Sequence, residues 1–309
     1  SVCVDDAVAH GAKPRAALVT LLNSLVRKNL VIKVTGGAES RFGMLETVRE
    51  YAGMQLRETD DVDRLQLEHA KYFTELARRE AGRVWGAEPE VGLTRLEQDY
   101  DDLVSALEWA RTTEPGKESG IGLQLAAALG PFWERRGFLS EGRERLAQAL
   151  RAKKRPDQDR WRVDALEAAA RLAFLQSDYA GAMTLYEKSL KIRREIASKK
   201  QDTRLKHGVV GVLNKIGLAA ARNGNYSVAE QRLREAMELA ETTRHTRGIV
   251  GALDVVRATV AEVAHQDTWQ RSTLAVAGAS LRVDREALAR DAVRDPVTGA
   301  IVCNVQLFN

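Results

Sequence analysis

Three stretches of the chain repeat one spacing, and that spacing restricts the fold more than any other feature. RGFLSEGRERLAQAL (136–150), SDYAGAMTLYEKSL (177–190) and GNYSVAEQRLREAM (224–237) each set a turn before an aromatic residue or leucine, and small and large apolar residues then alternate at helical steps. The small residues are Gly142, Ala182 and Ala229; four positions on come Leu146, Tyr186 and Leu233, and three further Ala149, Ser189 and Ala236. Steps of four and three keep these positions on one helix face. A small residue there lets an antiparallel helix come close, and the bulkier neighbour fills the hole beside it. VLNKIGLAAARNGNY supplies such a partner helix, with Ile216 and Gly217. The spacing predicts helix hairpins stacked side by side.

The small residues recur 40 and then 47 residues apart. That is longer than the roughly 34 residues of a minimal tetratricopeptide repeat, and longer helices or loops account for the excess. ALDVVRATVAEVAHQDTWQRSTLAVAGASLR reads as a fourth unit, although Arg271 stands where a small residue belongs. Upstream, GLTRLEQDYDDLVSALEWA carries Leu93, Leu96, Tyr100, Leu103 and Leu107 on an amphipathic helix. The first 58 residues have a different rhythm. Leu18, Leu21, Leu22, Leu25 and Val26 follow a proline at helical spacing; LVIKV (30–34) and RFGML (41–45) are short strands around the turn TGGAES; Leu45, Val48, Ala52 and Leu56 step along a last helix. Helix, strand, turn, strand, helix is the end of a winged-helix domain, the turn being its wing. The expected fold is mainly α: a partial winged-helix domain over 1–58, a helical linker or coupling segment over 59–115, an α-solenoid of TPR-like helix hairpins over 116–290, and an irregular tail over 291–309. In that tail DPVTG reads as a turn beside a short strand.

Composition and motifs exclude much chemistry. With 44% hydrophobic and 29% charged residues the chain is globular rather than disordered, and a net charge of +4 permits an acidic partner without arguing for one. Cys3 and Cys303 form neither a disulfide framework nor a zinc spacing, which suits a reducing cytoplasm. No apolar run reaches the roughly 20 residues that span a bilayer. No G-x-x-x-x-G-K-[ST] loop, H-E-x-x-H pair or G-x-S-x-G elbow occurs, and the histidines at 10, 69, 207, 245 and 265 do not form an i, i+4 pair. His69 is expected to pack beside Tyr72 and Phe73. The basic runs RAKKR (151–155) and KIRREIASKKQ (191–201) lack interleaved aromatics and read as solvated helix ends. QDYDD (98–102) reads as a solvated face rather than a catalytic carboxylate pair. Neither a catalytic nor a metal site is expected, and no cofactor site is expected within this chain.

LLNSLVRKNLVIKVTGGAESRFGMLETVREYAGMQL, HAKYFTELA, RLEQDYDDLVSALEWA and FWERRGFLSEGRERLAQAL occur in this order. Together they resemble bacterial STAND-class regulatory ATPases, the signal-transducing NTPases that include LuxR-type and AfsR-like transcriptional regulators. The resemblance covers about residues 15 to 282 and is densest over 18 to 150. It implies a nucleotide-binding domain ahead of the winged helix, where ATP or ADP would bind, and a TPR-like sensor after it. An opening without an initiator Met, SVCVDDAVAH, fits a piece of a longer protein.

The resemblance also implies that the winged helix packs on the ATPase domain instead of reading DNA. The residues agree: the helix over 15–29 offers only Arg15, Arg27 and Lys28 as cations. The expected partners are a protein or small-molecule inducer on the repeat groove and, intramolecularly, the upstream nucleotide switch; neither DNA nor membrane is expected to be a partner. The expected role is a cytoplasmic regulatory sensor without catalysis. A stand-alone TPR interaction scaffold and a DNA-binding winged-helix regulator are the alternatives.

Overall fold

Pro14 opens the first helix, α1 (Pro14–Arg27), where a missing N–H costs nothing. The helix stops at Asn29, whose φ of 58° turns the chain left-handed, and Leu30 N–H closes the turn on Leu25 O. Strands β1 (Ile32–Val34) and β2 (Arg41–Gly43) pair antiparallel, with Ile32 opposite Gly43 and Val34 opposite Arg41. Helix α2 (Glu46–Arg57) follows after two residues and buries no side chain. The computed structural model describes residues 14–34, 41–58, 61–112, 120–151, 155–200, 202–264, 293–294 and 301–302. The wing turn TGGAES, Cys3, Cys303, His10, His265 and Arg271 lie outside the described residues.

The rest of the described chain is helical: α3 (Val62–Val84), α4 (Pro89–Gln98), α5 (Tyr100–Thr112), α6 (Ile121–Arg136), α7 (Leu139–Leu150), a single 3₁₀ turn (Pro156–Gln158), α8 (Asp159–Leu175), α9 (Tyr179–Lys200), α10 (Thr203–Arg222), α11 (Tyr226–Thr242) and α12 (Thr246–Ala264). A second antiparallel pair, β3 (Val293–Arg294) with β4 (Ile301–Val302), flanks the stretch that contains DPVTG. The molecule is thus mainly α-helical with two very short strand pairs among the described residues.

Turns of two or three residues join α6 to α7, α8 to α9 and α10 to α11, which forces each pair antiparallel. Each turn passes through one left-handed residue: Gly137 (φ 76°), Ser177 (φ 62°) and Gly224 (φ 77°). In the later two the following N–H closes back across the turn, Asp178 to Ala173 O at 3.0 Å and Asn225 to Ala220 O at 2.8 Å. The second helix of each hairpin packs on the first helix of the next, and α12 lies against both α10 and α11. Helix α3 packs on α6, so residues 62–112 share one core with the first hairpin. Leu96, Leu103, Phe132, Trp133, Leu146 and Leu172 fill that core; Ala170, Tyr186, Leu190, Leu213, Ile216 and Ala236 fill the next.

The reading of QDYDD as a solvated face holds for Asp101 and Asp102 and fails for Asp99, which is 5% exposed. The helix breaks between α4 and α5 at this residue, so its side chain leaves the outward phase. It turns toward two cations, Arg95 at 2.9 Å and Arg41 at the start of β2. Arg41 also donates to Gln98 O at 2.9 Å. This cluster ties the β-hairpin to the helical row. Tyr100 accepts from Trp133 Nε1 at 3.0 Å, and burial pushes its hydroxyl up to about 12.

Candidate functional site

Helix α8 is mostly alanine and leucine inward, but Arg160, Asp164, Glu167 and Arg171 follow one another at steps of four, three and four. That spacing aligns four charged side chains on one stripe of the helix. The stripe meets the first helices of the neighbouring hairpins. Arg171 Nε lies 2.6 Å from Glu134 on α6, and Glu167 lies 2.7 Å from Lys215 Nζ on α10. One residue before Lys215, Asn214 Nδ2 donates to Gly248 O on α12 at 3.0 Å. Polar contacts therefore run from α6 to α8, from α8 to α10 and from α10 to α12.

Glu167 is the centre of this row. It accepts from Ser189 Oγ at 3.0 Å and from Arg193 Nε at 2.6 Å, both on α9, besides Lys215. Burial alone would raise its carboxyl, but Lys215 and Arg193 outweigh that and hold it below the ordinary carboxylate range. Asp164, one turn earlier, is pushed up by burial, with Glu167 adding and Arg193, Arg160 and Lys215 opposing. Tyr186 of α9 lies beneath Lys215, 5.8 Å from ring centre to Nζ, and burial first and Glu167 second raise its hydroxyl. At the other end, Trp85 is 49% exposed and held under two guanidinium groups, Arg135 at 5.0 Å and Arg171 at 4.8 Å.

The small residues of the repeated spacing lie at the seams beneath this face. Gly142 sits where a Cβ would come within 2.7 Å of Leu172 Cδ1 and 2.9 Å of Trp133 Cβ. Leu146 is fully buried beside it and Ala149 partly buried on the same core. Ala182, Tyr186 and Ser189 are buried on α9; Ala229, Leu233 and Ala236 are buried on α11, with Leu233 filling the space that Gly217 leaves open. Ser189 is thus also a donor to Glu167. The sequence signal of the charged row is the spacing of Arg160, Asp164, Glu167 and Arg171 among the alanines of 159–175, which motif and composition do not single out.

The remaining candidates separate. His69 packs on Phe73 with the rings tilted at 53° and their centres 4.6 Å apart, Tyr72 meets Phe73 edge-on at 5.1 Å, and Asp102 lies 3.7 Å from His69. His207 and His245, 38 positions apart in the sequence, lie face to face at 4.0 Å. Among the described residues no group of three His, Cys, Asp or Glu could hold a metal ion, and no helix is long and apolar enough to cross a membrane. Arg27 and Lys28 are exposed at the end of α1.

No family model matches the chain. It is similar to proteins named HTH-type transcriptional regulator from Mycobacterium bovis and from two strains of Mycobacterium tuberculosis, at 33% identity over 121 residues. The match takes in 39% of this chain and 13% of the relatives' own length, so those proteins extend far beyond what it covers.

Proposed function

We propose that this chain is the sensor and coupling region of a transcriptional regulator of the STAND class: a winged helix followed by TPR-like hairpins that capture a partner protein or inducer. Capture would bias a nucleotide switch elsewhere in the whole protein, and the chain itself would carry no catalysis. The similarity to HTH-type regulators supports a regulator role. The observation that carries the sensor reading is the row of bridges Glu134–Arg171, Glu167–Lys215 and Asn214–Gly248, which joins three successive hairpins and α12.

A ligand that touches two hairpins replaces or strains such bridges and so changes how one hairpin sits on the next. The cations Arg171 and Lys215 are half-exposed while Glu134 and Glu167 are largely buried, so a ligand can draw on the cations only where the carboxylates keep another partner, as Glu167 does in Arg193 and Ser189. The coupling such a device must supply is of the order of 1–3 kcal/mol. At the far end of the row, Arg41 and Asp99 offer a narrow path to the β-hairpin.

Titration with fluorescent ATP tests the reading. A form of the protein extended upstream by about 350 residues, two or more ordinary domains, should bind nucleotide, and the present chain should not. In the extended form, deletion of residues 120–264 should abolish the response of nucleotide turnover to every inducing signal. Binding by neither form leaves an interaction scaffold as the better account.

A further inference from the structure

The basic run KIRREIASKKQ is divided by the structure into two faces. Arg194 turns to Glu235 of α11, whereas Arg193, its neighbour in sequence, turns the other way to Glu167. The Arg193 guanidinium lies over Gly208 of α10, so closely that a Cβ there would be 2.5 Å from Nη1. Beside it the early turns of α8, the last turns of α9 and the first turn of α10 enclose a cleft of about 420 Å³. That volume lies in the range of about 300–1,000 Å³ usual for small-ligand sites.

Arg160, Arg193 and Lys200 bring three cations to this cleft and Asp164 one carboxylate. Glu167 and Lys215, just beneath, offset each other. The excess is therefore two positive charges at the polar side. Val163, Ile196 and Leu205 supply the other side and present only hydrocarbon. A compact dianion answers the first feature, and an apolar body attached to it answers the second. Asp164 adds an acceptor for a hydroxyl group on such a molecule. A nucleic-acid strand fits less well, because no aromatic side chain lines the cleft to stack a base.

We propose that this cleft binds a small organic dianion with an apolar body, a phosphomonoester or a dicarboxylate. The proposal rests on the reading of the hairpins as a ligand-capturing sensor, and it names the chemical class of that ligand.

Calorimetric titration of the whole chain with phenyl phosphate and, separately, with phthalate tests it at pH 7.5 and constant ionic strength. Saturable one-site binding is expected with at least one probe, and which probe binds assigns the phosphomonoester or the dicarboxylate; equal binding of both assigns the dianion alone. R160M and K200M, both at exposed side chains, should each weaken binding by about tenfold, the usual scale of a charge-assisted contact. G208A should weaken it similarly by displacing the Arg193 guanidinium. R194M, the same charge change on the same helix but facing α11, should leave it unaltered. Circular dichroism confirms that each variant is folded. Absence of saturable binding by both probes overturns the proposal, and so does an equal loss in R194M, which marks diffuse attraction. If the extended protein binds ATP and loses inducer response on deletion of 120–264 while neither probe binds, the sensor reading stands and only the ligand class fails. If the probes bind and the extended protein shows no nucleotide switch, the cleft stands without the switch.

Discussion

At the scale of single residues, two helical glycines show how much of this molecule depends on close approach. Gly142 faces Leu172 Cδ1 at 2.7 Å and Trp133 Cβ at 2.9 Å from the place a methyl would occupy, whereas Gly211 on α10 has nothing within 4 Å of that place. Alanine gains about 1 kcal/mol over glycine inside a helix. At Gly211 that gain is unopposed, so G211A should raise stability by about 0.5–1 kcal/mol. At Gly142 overpacking of about 1–3 kcal/mol opposes it, because the Trp133 Cβ is fixed to its backbone and cannot swing away. G142A should therefore lower stability, by about 1–2 kcal/mol. Urea unfolding of both variants checks the pair, and equal effects would show that the seam is looser than its distances imply. Gly142, Ala182 and Ala229 are legible from spacing alone, since packing demands small side chains at fixed steps. Glu167 is not legible in this way, because a charge on a helix gives no sign in the sequence of whether it meets water or the helix beside it.

At the scale of elements, the hairpin turns and the last helix carry the testable detail. Gly137 and Gly224 take a left-handed φ freely, but the equivalent turn between α8 and α9 puts Ser177 at φ 62°. A residue with a Cβ pays about 1–2 kcal/mol for that conformation. S177G should stabilise the chain by about 0.5–1 kcal/mol after the flexibility it adds to the unfolded state, readable as a higher melting temperature. Helix α12 should respond to pH through the His207–His245 stack. Burial first, then His207 on α10 and Arg247 on α12, hold His245 below its ordinary value of 6.5, and His207 lies 3.4 Å from Thr243 O. Above pH 6.5 both the folded and the unfolded His245 are neutral and the docking of α12 has its full strength. As pH falls below that value the unfolded state takes up the proton first, so stability is lost until the folded value is passed. Hydrogen-exchange protection in 246–264, taken relative to the intrinsic exchange rate at each pH, should thus fall from pH 7.5 to 5.0, and H245Q should flatten the dependence. The helices themselves were legible because apolar residues recur at 3.6-residue intervals over long runs. The histidine pair was not, since the turn at Arg244 and the packing of α12 bring the rings together across the fold.

At the scale of the whole molecule, the described residues of 14–58 and the helical row are joined through very few side chains. Leu21, Leu45, Tyr51 and Met54 are each more than half exposed, at 55%, 53%, 64% and 57%, so α1 and α2 add little hydrophobic attachment. Asp99 is almost fully buried and holds Arg95 from its own helix pair and Arg41 from the β-hairpin. One buried carboxylate thus serves two cations that belong to different parts of the chain. The sequence, with Asp99 among other acidic residues, marked it as solvent-facing; only the break between α4 and α5 turns it inward. If this cluster is the principal tie, its loss should loosen one part without unfolding the other. D99N removes the charge and leaves the shape, so Arg41 loses its ion pair while Leu96 and Leu103 stay packed on either side. Hydrogen exchange should then accelerate about tenfold or more across 14–58, the result of local opening, and remain unchanged across 121–242. R41M should give the same pattern, because it removes the same tie from the other end, and the double variant should add little to either. A uniform rise across both regions would mean instead that the chain opens as a single unit and that Asp99 supports the helical core itself. A local rise is what a coupling element requires: a contact strong enough to transmit a change in the hairpin row, and weak enough to release on its own.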